Sequence, residues 1–73
     1  MQTNSTTRND KLRQARRKNM WTMKETADKV GVSLVTYGRW ERGIQQPHLG
    51  TLKDLCEVFG KSAEELGFGD LSG

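Results

Sequence analysis

Two capped helices joined by a tight turn constrain this chain more than any other feature of its sequence. Thr22 and Glu25 have the spacing of a capping box, in which a hydroxyl caps the first free amides and a carboxylate three residues later reciprocates. The apolar side chains that follow recur at helical spacing on one face: Met23, Ala27 and Val30. We therefore predict a helix that begins after Thr22.

The residues that follow predict a turn and a second helix. Gly31 stands where the first helix must stop, because glycine adopts the left-handed conformation without a side-chain clash. Ser33 can cap the second helix, and Gly43 ends it. Two helices separated by a turn of about four residues that contains glycine match the helix-turn-helix plan.

The second helix has two chemically different faces. The inner face is aromatic and acidic: Tyr37, Trp40 and Glu41. The opposite face carries an apolar side chain and two guanidinium groups: Val35, Arg39 and Arg42. Arginine can bind guanine O6 and N7 through two hydrogen bonds, and an apolar side chain can contact the thymine methyl, so this helix suits the DNA major groove. Periodicity alone is equally compatible with an ordinary amphipathic helix whose basic face is solvated.

Length and composition limit the classes of function. A chain of 73 residues makes one small domain, in which we expect no sizeable catalytic cleft. No apolar run is long enough to span a membrane, and no signal peptide is visible. The single cysteine, Cys56, excludes an internal disulfide framework and favours a reducing, cytoplasmic compartment.

Charge is unevenly distributed along the chain. Residues 1–43 carry ten basic and four acidic side chains, a net charge of +6, whereas residues 44–73 carry a net charge of −3. A basic half joined to an acidic half indicates an oriented approach to a polyanion. This asymmetry alone does not distinguish DNA from RNA or from an acidic protein.

A first helix is predicted from Asn9 or Asp10 to about Lys18, and Arg16 falls on its buried side. An unpaired buried charge is costly, so Arg16 needs a partner. Glu41, on the inner face of the second motif helix, is the best candidate. We therefore predict a structural ion pair between Arg16 and Glu41.

Two further helices complete the prediction. The first of them starts near Gly50 or Thr51 and stops at Gly60. Its apolar side chains recur at positions i, i+3, i+4 and i+7: Leu52, Leu55, Cys56 and Phe59. Ser62 and Glu65 form a second capping box that opens a short last helix. With no strand pattern, the predicted fold is an all-α bundle of five short helices. We place a disordered arm at residues 1–8, the folded domain at residues 9–67 and a flexible tail at residues 68–73.

No catalytic or metal site is predicted. His48 has no second histidine or cysteine near it, whereas a zinc site needs about four ligands. No Ser/His/Asp pattern, glycine-rich phosphate loop or pair of catalytic carboxylates is present, so we expect neither an enzyme nor a cofactor.

Taken together, these motifs resemble the Cro/C1 (XRE-type) helix-turn-helix family, with its lambda-repressor-like fold, over about residues 10–67. The resemblance rests on Leu12 and Arg16, on TMKETA at residues 22–27, VGVS at 30–33 and RWERG at 39–43, and on Pro47, Leu52, Leu55, Phe59 and Gly60. The ending LCEVFGKSAEELG at residues 55–67 is similar to the variant found at the N-terminus of longer bacterial regulators. The resemblance therefore implies a DNA-binding part of a longer regulator.

The resemblance also implies specific contacts with double-stranded DNA. The family's base-reading positions fall on Leu34, Val35 and Arg39. Phosphate contacts are expected from the N-terminus of the first motif helix and from around the second: Thr22, Met23, Lys24, Thr36, Arg42 and Gln45. The family usually has Gln where this chain has Met23, and Leu where it has Thr26, which leaves a partly polar group at a core-facing site.

Two functions remain open at this stage. The first is sequence-specific binding of duplex DNA for transcriptional regulation, with a weak homodimer forming on the DNA, as family members usually bind two half-sites. The second is a protein-interaction module that keeps the same fold and docks through Leu34, Val35 and Ile44.

Overall fold

A computed structural model describes residues 8–69, which form four α-helices and contain no β-strand. The helices are α1 (Asp10–Lys18), α2 (Met23–Val30), α3 (Leu34–Glu41) and α4 (Leu49–Phe59). The predicted all-α class is confirmed. The predicted arm and tail fall largely on residues 1–7 and 70–73, which lie outside the described residues.

The start of α1 is tied to two distant parts of the chain through Asn9. Its side-chain oxygen caps α1 by accepting from the Leu12 amide at 3.1 Å. Its side-chain amide donates to the Leu66 carbonyl at 2.9 Å, and its backbone amide donates to the Glu41 carbonyl at 2.9 Å. One residue therefore connects the first helix, the end of α3 and the C-terminal turn.

Helix α2 begins with the reciprocal capping box that the sequence indicates. The Glu25 amide donates to Thr22 Oγ1 at 3.0 Å, and the Thr22 amide donates to Glu25 Oε1 at 2.7 Å. The helix ends at Gly31, whose φ of 89° lies in the left-handed region. Thr26 is fully buried, and its hydroxyl donates to the Thr22 carbonyl at 3.0 Å, so its polar atom is satisfied within the preceding turn.

The prediction of a fifth helix is wrong for the described residues. The second capping box is present, since the Ser62 amide donates to Glu65 Oε1 at 2.9 Å and the Glu65 amide donates to Ser62 Oγ at 3.1 Å. Residues 63–67 nevertheless form turns, because Gly67 adopts a φ of 86° only one turn after the cap. A single turn fixes several dihedral angles for few hydrogen bonds, so it does not propagate as a helix.

The core lies between α3 and the faces of the other helices that point towards it. Its largest fully buried side chains include Trp40, Tyr37, Leu12, Leu55 and Leu66. Phe68, which falls within the tail predicted from the sequence, is also part of this core, with 4% of its surface exposed. Cys56 is half-buried and packs against the core.

Candidate functional site

Helix α3 separates a fixed inner face from an open outer face. Tyr37, Trp40 and Glu41 are buried, whereas 46% of the Leu34 surface and 59% of the Val35 surface are exposed. Arg39 and Arg42 are also exposed. Their outward position follows from the helical period, which puts these side chains opposite the buried aromatic residues.

The start of α3 presents apolar rather than polar groups. Ser33 caps the helix by accepting from the Thr36 amide at 3.1 Å, and its hydroxyl donates to Thr36 Oγ1 at 3.0 Å. Because the Ser33 and Thr36 hydroxyl groups are hydrogen-bonded to each other, Leu34 and Val35 dominate the outward surface of the first turn.

The N-terminus of α2 meets the middle of α3 at Gly38. A Cβ built on Gly38 would lie 3.4 Å from Met23 Cε and 3.8 Å from a guanidinium nitrogen of Arg42. The Arg42 side chain therefore folds back along α3, and its guanidinium group lies beside Gly38, where the Met23 side chain also ends.

Lys24 and Gln45 lie on either side of this junction in the sequence and are exposed. Lys24 approaches Asp28 at 3.5 Å, but both side chains are about two-thirds exposed or more, so this pair constrains the lysine only weakly. Gln45 follows α3, and its backbone amide donates to the Arg39 carbonyl at 3.4 Å. The Ile44 side chain beside it is 67% exposed.

A polar network fixes the inner face of α3. Arg16 Nε donates to Glu41 Oε2 at 2.6 Å, and a second guanidinium nitrogen donates to Glu41 Oε1 at 3.3 Å. The third guanidinium nitrogen donates to the Trp21 carbonyl at 2.9 Å. Arg16 thus joins α1 to α3 and also holds the chain that leads into α2.

Tyr37 adds a second donor to the same carboxylate, a contact that was not predicted from the sequence. Its hydroxyl donates to Glu41 Oε2 at 2.5 Å. Burial, together with this hydrogen bond, raises the pKa of Tyr37 well above its ordinary value, and the hydrogen bond with Glu41 raises the pKa of Arg16. The sequence feature that could have predicted this contact is the spacing of Tyr37 and Glu41, which stand at i and i+4 on one helix face.

The described residues also limit other kinds of site. Within residues 8–69, no group of three or more His, Cys, Asp or Glu side chains could hold a metal ion. None of the helices formed by these residues is both long and apolar enough to cross a membrane.

A comparison with protein-family models matches residues 12–66 to a helix-turn-helix family. The chain belongs to this helix-turn-helix family. Its Cro/C1 (XRE-type) character, expected from the sequence motifs, is confirmed. The family comprises DNA-binding domains of transcriptional regulators and is not an enzyme class.

A curated relative supports the same assignment. The HTH-type transcriptional regulator AnsR of Bacillus subtilis (strain 168) is 35% identical over 57 residues, which cover 78% of this chain and 49% of that protein. The chain therefore spans about half the length of this relative. No match is found among solved structures.

In this helix-turn-helix domain, the predicted contact residues fall into two neighbouring groups. Leu34, Val35 and Arg39 lie on the open face of α3. Thr22, Met23 and Lys24 lie at the start of α2, and the Arg42 guanidinium group lies beside Gly38, where the Met23 side chain also ends. Thr36 is half-buried and bonded to Ser33, so its hydroxyl is the least open of the predicted contacts.

Proposed function

We propose that this domain binds duplex DNA sequence-specifically for transcriptional regulation, with α3 in the major groove. The observation that carries the proposal is the division of α3 into a buried, hydrogen-bonded inner face and an outer face that presents Arg39 to solvent. An α-helix fits the major groove, and a rigidly held helix positions its side chains on base edges.

Arg39 is the proposed reader of a guanine. It is exposed at the middle of the outer face of α3, one turn after Val35, and no acidic side chain of the described residues forms an ion pair with it. Its guanidinium group can therefore donate two hydrogen bonds to guanine O6 and N7.

Leu34 and Val35 are the proposed readers of thymine. Both are exposed apolar side chains in the first turn of α3, and neither can donate or accept a hydrogen bond from a base edge. Contact with the thymine methyl group is the readout that their chemistry permits. The preferred site is therefore expected to contain thymine close to the guanine that Arg39 contacts.

A phosphate is the proposed ligand of the junction between α2 and α3. The free amides at the start of α2 point along the helix axis, and the helix dipole favours an anion there. The Arg42 guanidinium group lies beside Gly38, where the Met23 side chain also ends. Thr22 and Lys24 adjoin the junction, and Thr36 and Gln45 complete the proposed contacts with the DNA backbone. The Thr22 amide already donates to the Glu25 carboxylate, so the backbone amides of residues 23 and 24 are the expected donors to the phosphate.

The experiment begins with selection of binding sites from random duplexes, followed by salt titrations on a selected and a scrambled duplex. Arg39→Ala is expected to cost about 1–3 kcal/mol on the selected site and to relax preference at one base pair. Arg42→Ala is expected to weaken both duplexes about equally and to reduce the salt slope by about one.

Lys53→Ala is the matched control, because Lys53 is an exposed cation on α4, outside the proposed contacts. It removes the same charge and should leave both affinities nearly unchanged at moderate salt. If Arg39→Ala weakened the selected and scrambled duplexes equally, Arg39 would not read a base and this part of the proposal would be wrong.

A protein-interaction module is the second candidate function, favoured by the exposure of apolar side chains. Leu34, Val35 and Ile44 are between 46% and 67% exposed around α3. Large exposed apolar patches mark protein interfaces. Binding to DNA must weaken steeply as salt rises, whereas docking through an apolar patch must not. A duplex affinity that does not depend on salt would therefore favour this second function.

We also propose that the domain is part of a longer regulator and that it pairs on DNA only weakly without the remaining sequence. A single α3 contacts few base pairs, and dimers read two half-sites about one helical turn apart. We expect sedimentation at micromolar concentration to show a monomer, and duplexes with two half-sites to bind two copies. A stable dimer without DNA would contradict this expectation.

A further inference from the structure

A cationic groove runs along α1 on the side of the domain that the proposed function leaves unused. We define it by the cations that line it: Lys11, Arg17, Lys18 and Lys61. Ala15 and the Gln14 amide also line the groove, and Glu65 is its one acidic side chain. Four cations against one carboxylate give the groove lining a net charge of +3, which favours a negatively charged ligand.

The groove faces away from the proposed DNA-binding surface. The opposite side of α1 carries Leu12 and Arg16, and Arg16 binds Glu41 on the inner face of α3. Helix α1 therefore packs behind α3, and its exposed side points away from the outer face that presents Arg39. The four cations of the groove are not among the DNA contacts of the proposed function.

Helix stability explains only part of this charge cluster. Arg17 and Lys18 lie in the last turn of α1, where cations interact favourably with the helix dipole. Lys11 lies in the first turn, where a cation is unfavourable, and Lys61 lies outside the helices. The dipole gives no reason for either of these two lysines to line the same groove.

The lining also has an apolar component. Ala15 itself is only 5% exposed, so the accessible apolar part of the lining comes mainly from the hydrocarbon stems of the lysine side chains, which can cover apolar groups. Hydrogen bonds from the Ser62 backbone and hydroxyl lower the pKa of Glu65, so this carboxylate stays charged. The negative charge of Glu65 disfavours the closely spaced phosphates of a duplex, whereas a peptide can place its acidic side chains away from Glu65 and an apolar one against the lysine stems.

We propose that the groove between α1 and residues 61–65 binds an acidic segment of a partner protein that carries apolar side chains between its carboxylates. The docking would leave α3 free, so the domain would bind this partner and duplex DNA at the same time. Such contacts between exposed charges set orientation and association rate more than affinity.

The test uses the full chain and a fluorescein-labelled synthetic peptide of repeated Glu-Glu-Leu units, followed by fluorescence anisotropy. The double variant Lys11→Gln/Lys18→Gln removes two cations of the groove. The double variant Arg13→Gln/Lys53→Gln removes two cations that do not line it, and thermal melting verifies that both variants are folded. The groove variant is expected to bind the peptide about three- to tenfold more weakly, and the control within about twofold of the parent chain.

Three outcomes would overturn the proposal. The first is a peptide that does not bind the parent chain, and the second is an equal loss of affinity in the groove and control variants, which would indicate unspecific charge attraction. The third is a groove variant that loses duplex affinity as much as peptide affinity, which would make the groove a nucleic-acid surface. Binding of the peptide to a chain already saturated with duplex would support the proposal directly.

Discussion

Replacement of Arg16 by methionine is expected to destabilise the domain severely. The guanidinium group makes three hydrogen bonds, two to Glu41 and one to the Trp21 carbonyl, and only 12% of the Arg16 side chain is exposed. Methionine keeps much of the aliphatic stem but removes all three donors. Glu41, whose side chain is 7% exposed, would then keep only the Tyr37 hydroxyl as a side-chain donor.

The magnitude follows from the uncompensated charge. Breaking a buried pair by removing one partner costs about 3–5 kcal/mol. At about 0.05–0.15 kcal/mol per residue, a chain of 73 residues has a total stability of only about 4–11 kcal/mol. Because each kcal/mol shifts the melting temperature of a domain this small by about 4–8 °C, we expect Arg16→Met to lower it by at least about 12 °C.

The assay is thermal and urea unfolding, followed by circular dichroism, of the two single variants and the double variant. Glu41→Gln keeps an acceptor for Tyr37 but removes the buried charge. The double variant Arg16→Met/Glu41→Gln should therefore be about 1–3 kcal/mol more stable than the sum of the single changes predicts. The reasoning fails if Arg16→Met melts with the parent chain, or if the two costs simply add.

Two further predictions concern stability. The pKa of Tyr37 is raised in the folded state, so its neutral form stabilises the fold. This stability is complete below the unfolded tyrosine pKa of about 10 and is lost as the pH rises towards the folded pKa. The melting temperature should therefore fall above about pH 10. Tyr37 is the only tyrosine, so tyrosinate absorbance reports it alone, and ionisation at the ordinary pKa without loss of helical signal would contradict this prediction. Gly67→Ala should cost more than Gly31→Ala, because both residues have positive φ but only a Cβ on Gly67 would clash, at 2.1 Å from Asn9 Oδ1. Urea unfolding should show a loss of stability of about 1–2 kcal/mol for Gly31→Ala. The loss should be about 1 kcal/mol larger for Gly67→Ala, because that change also disturbs the cap of α1. Equal losses would show that Asn9 moves freely.

The local features of the sequence predicted the positions of the four helices closely. Thr22, Ser33 and Gly31 act on backbone groups within about four residues of themselves, so their effects could be predicted without knowledge of the fold. The two faces of α3 also follow from its period alone. The sequence likewise led to an expected partner for Arg16, because two opposite charges on inward faces exclude most alternatives.

Tertiary structure decided the features that join residues far apart in the chain. Phe68 packs in the core, and Asn9 binds the Leu66 carbonyl, although nothing local in the sequence marks either contact. The capping box at Ser62 correctly indicated its local hydrogen bonds but not the length of the element that follows, because Gly67 closes the turn against Asn9.

The candidate site divides in the same way. Arg39 could be assigned to the outer face of α3 from its position in the sequence, whereas the approach of Arg42 to Met23 depends on how α2 and α3 pack at Gly38. The cationic groove likewise exists only because residues 61–65 return beside α1. The sequence by itself determined which side chains each helix presents, since that depends on the helical period. Only the tertiary structure determined which of these side chains meet, since that depends on packing between helices distant in sequence.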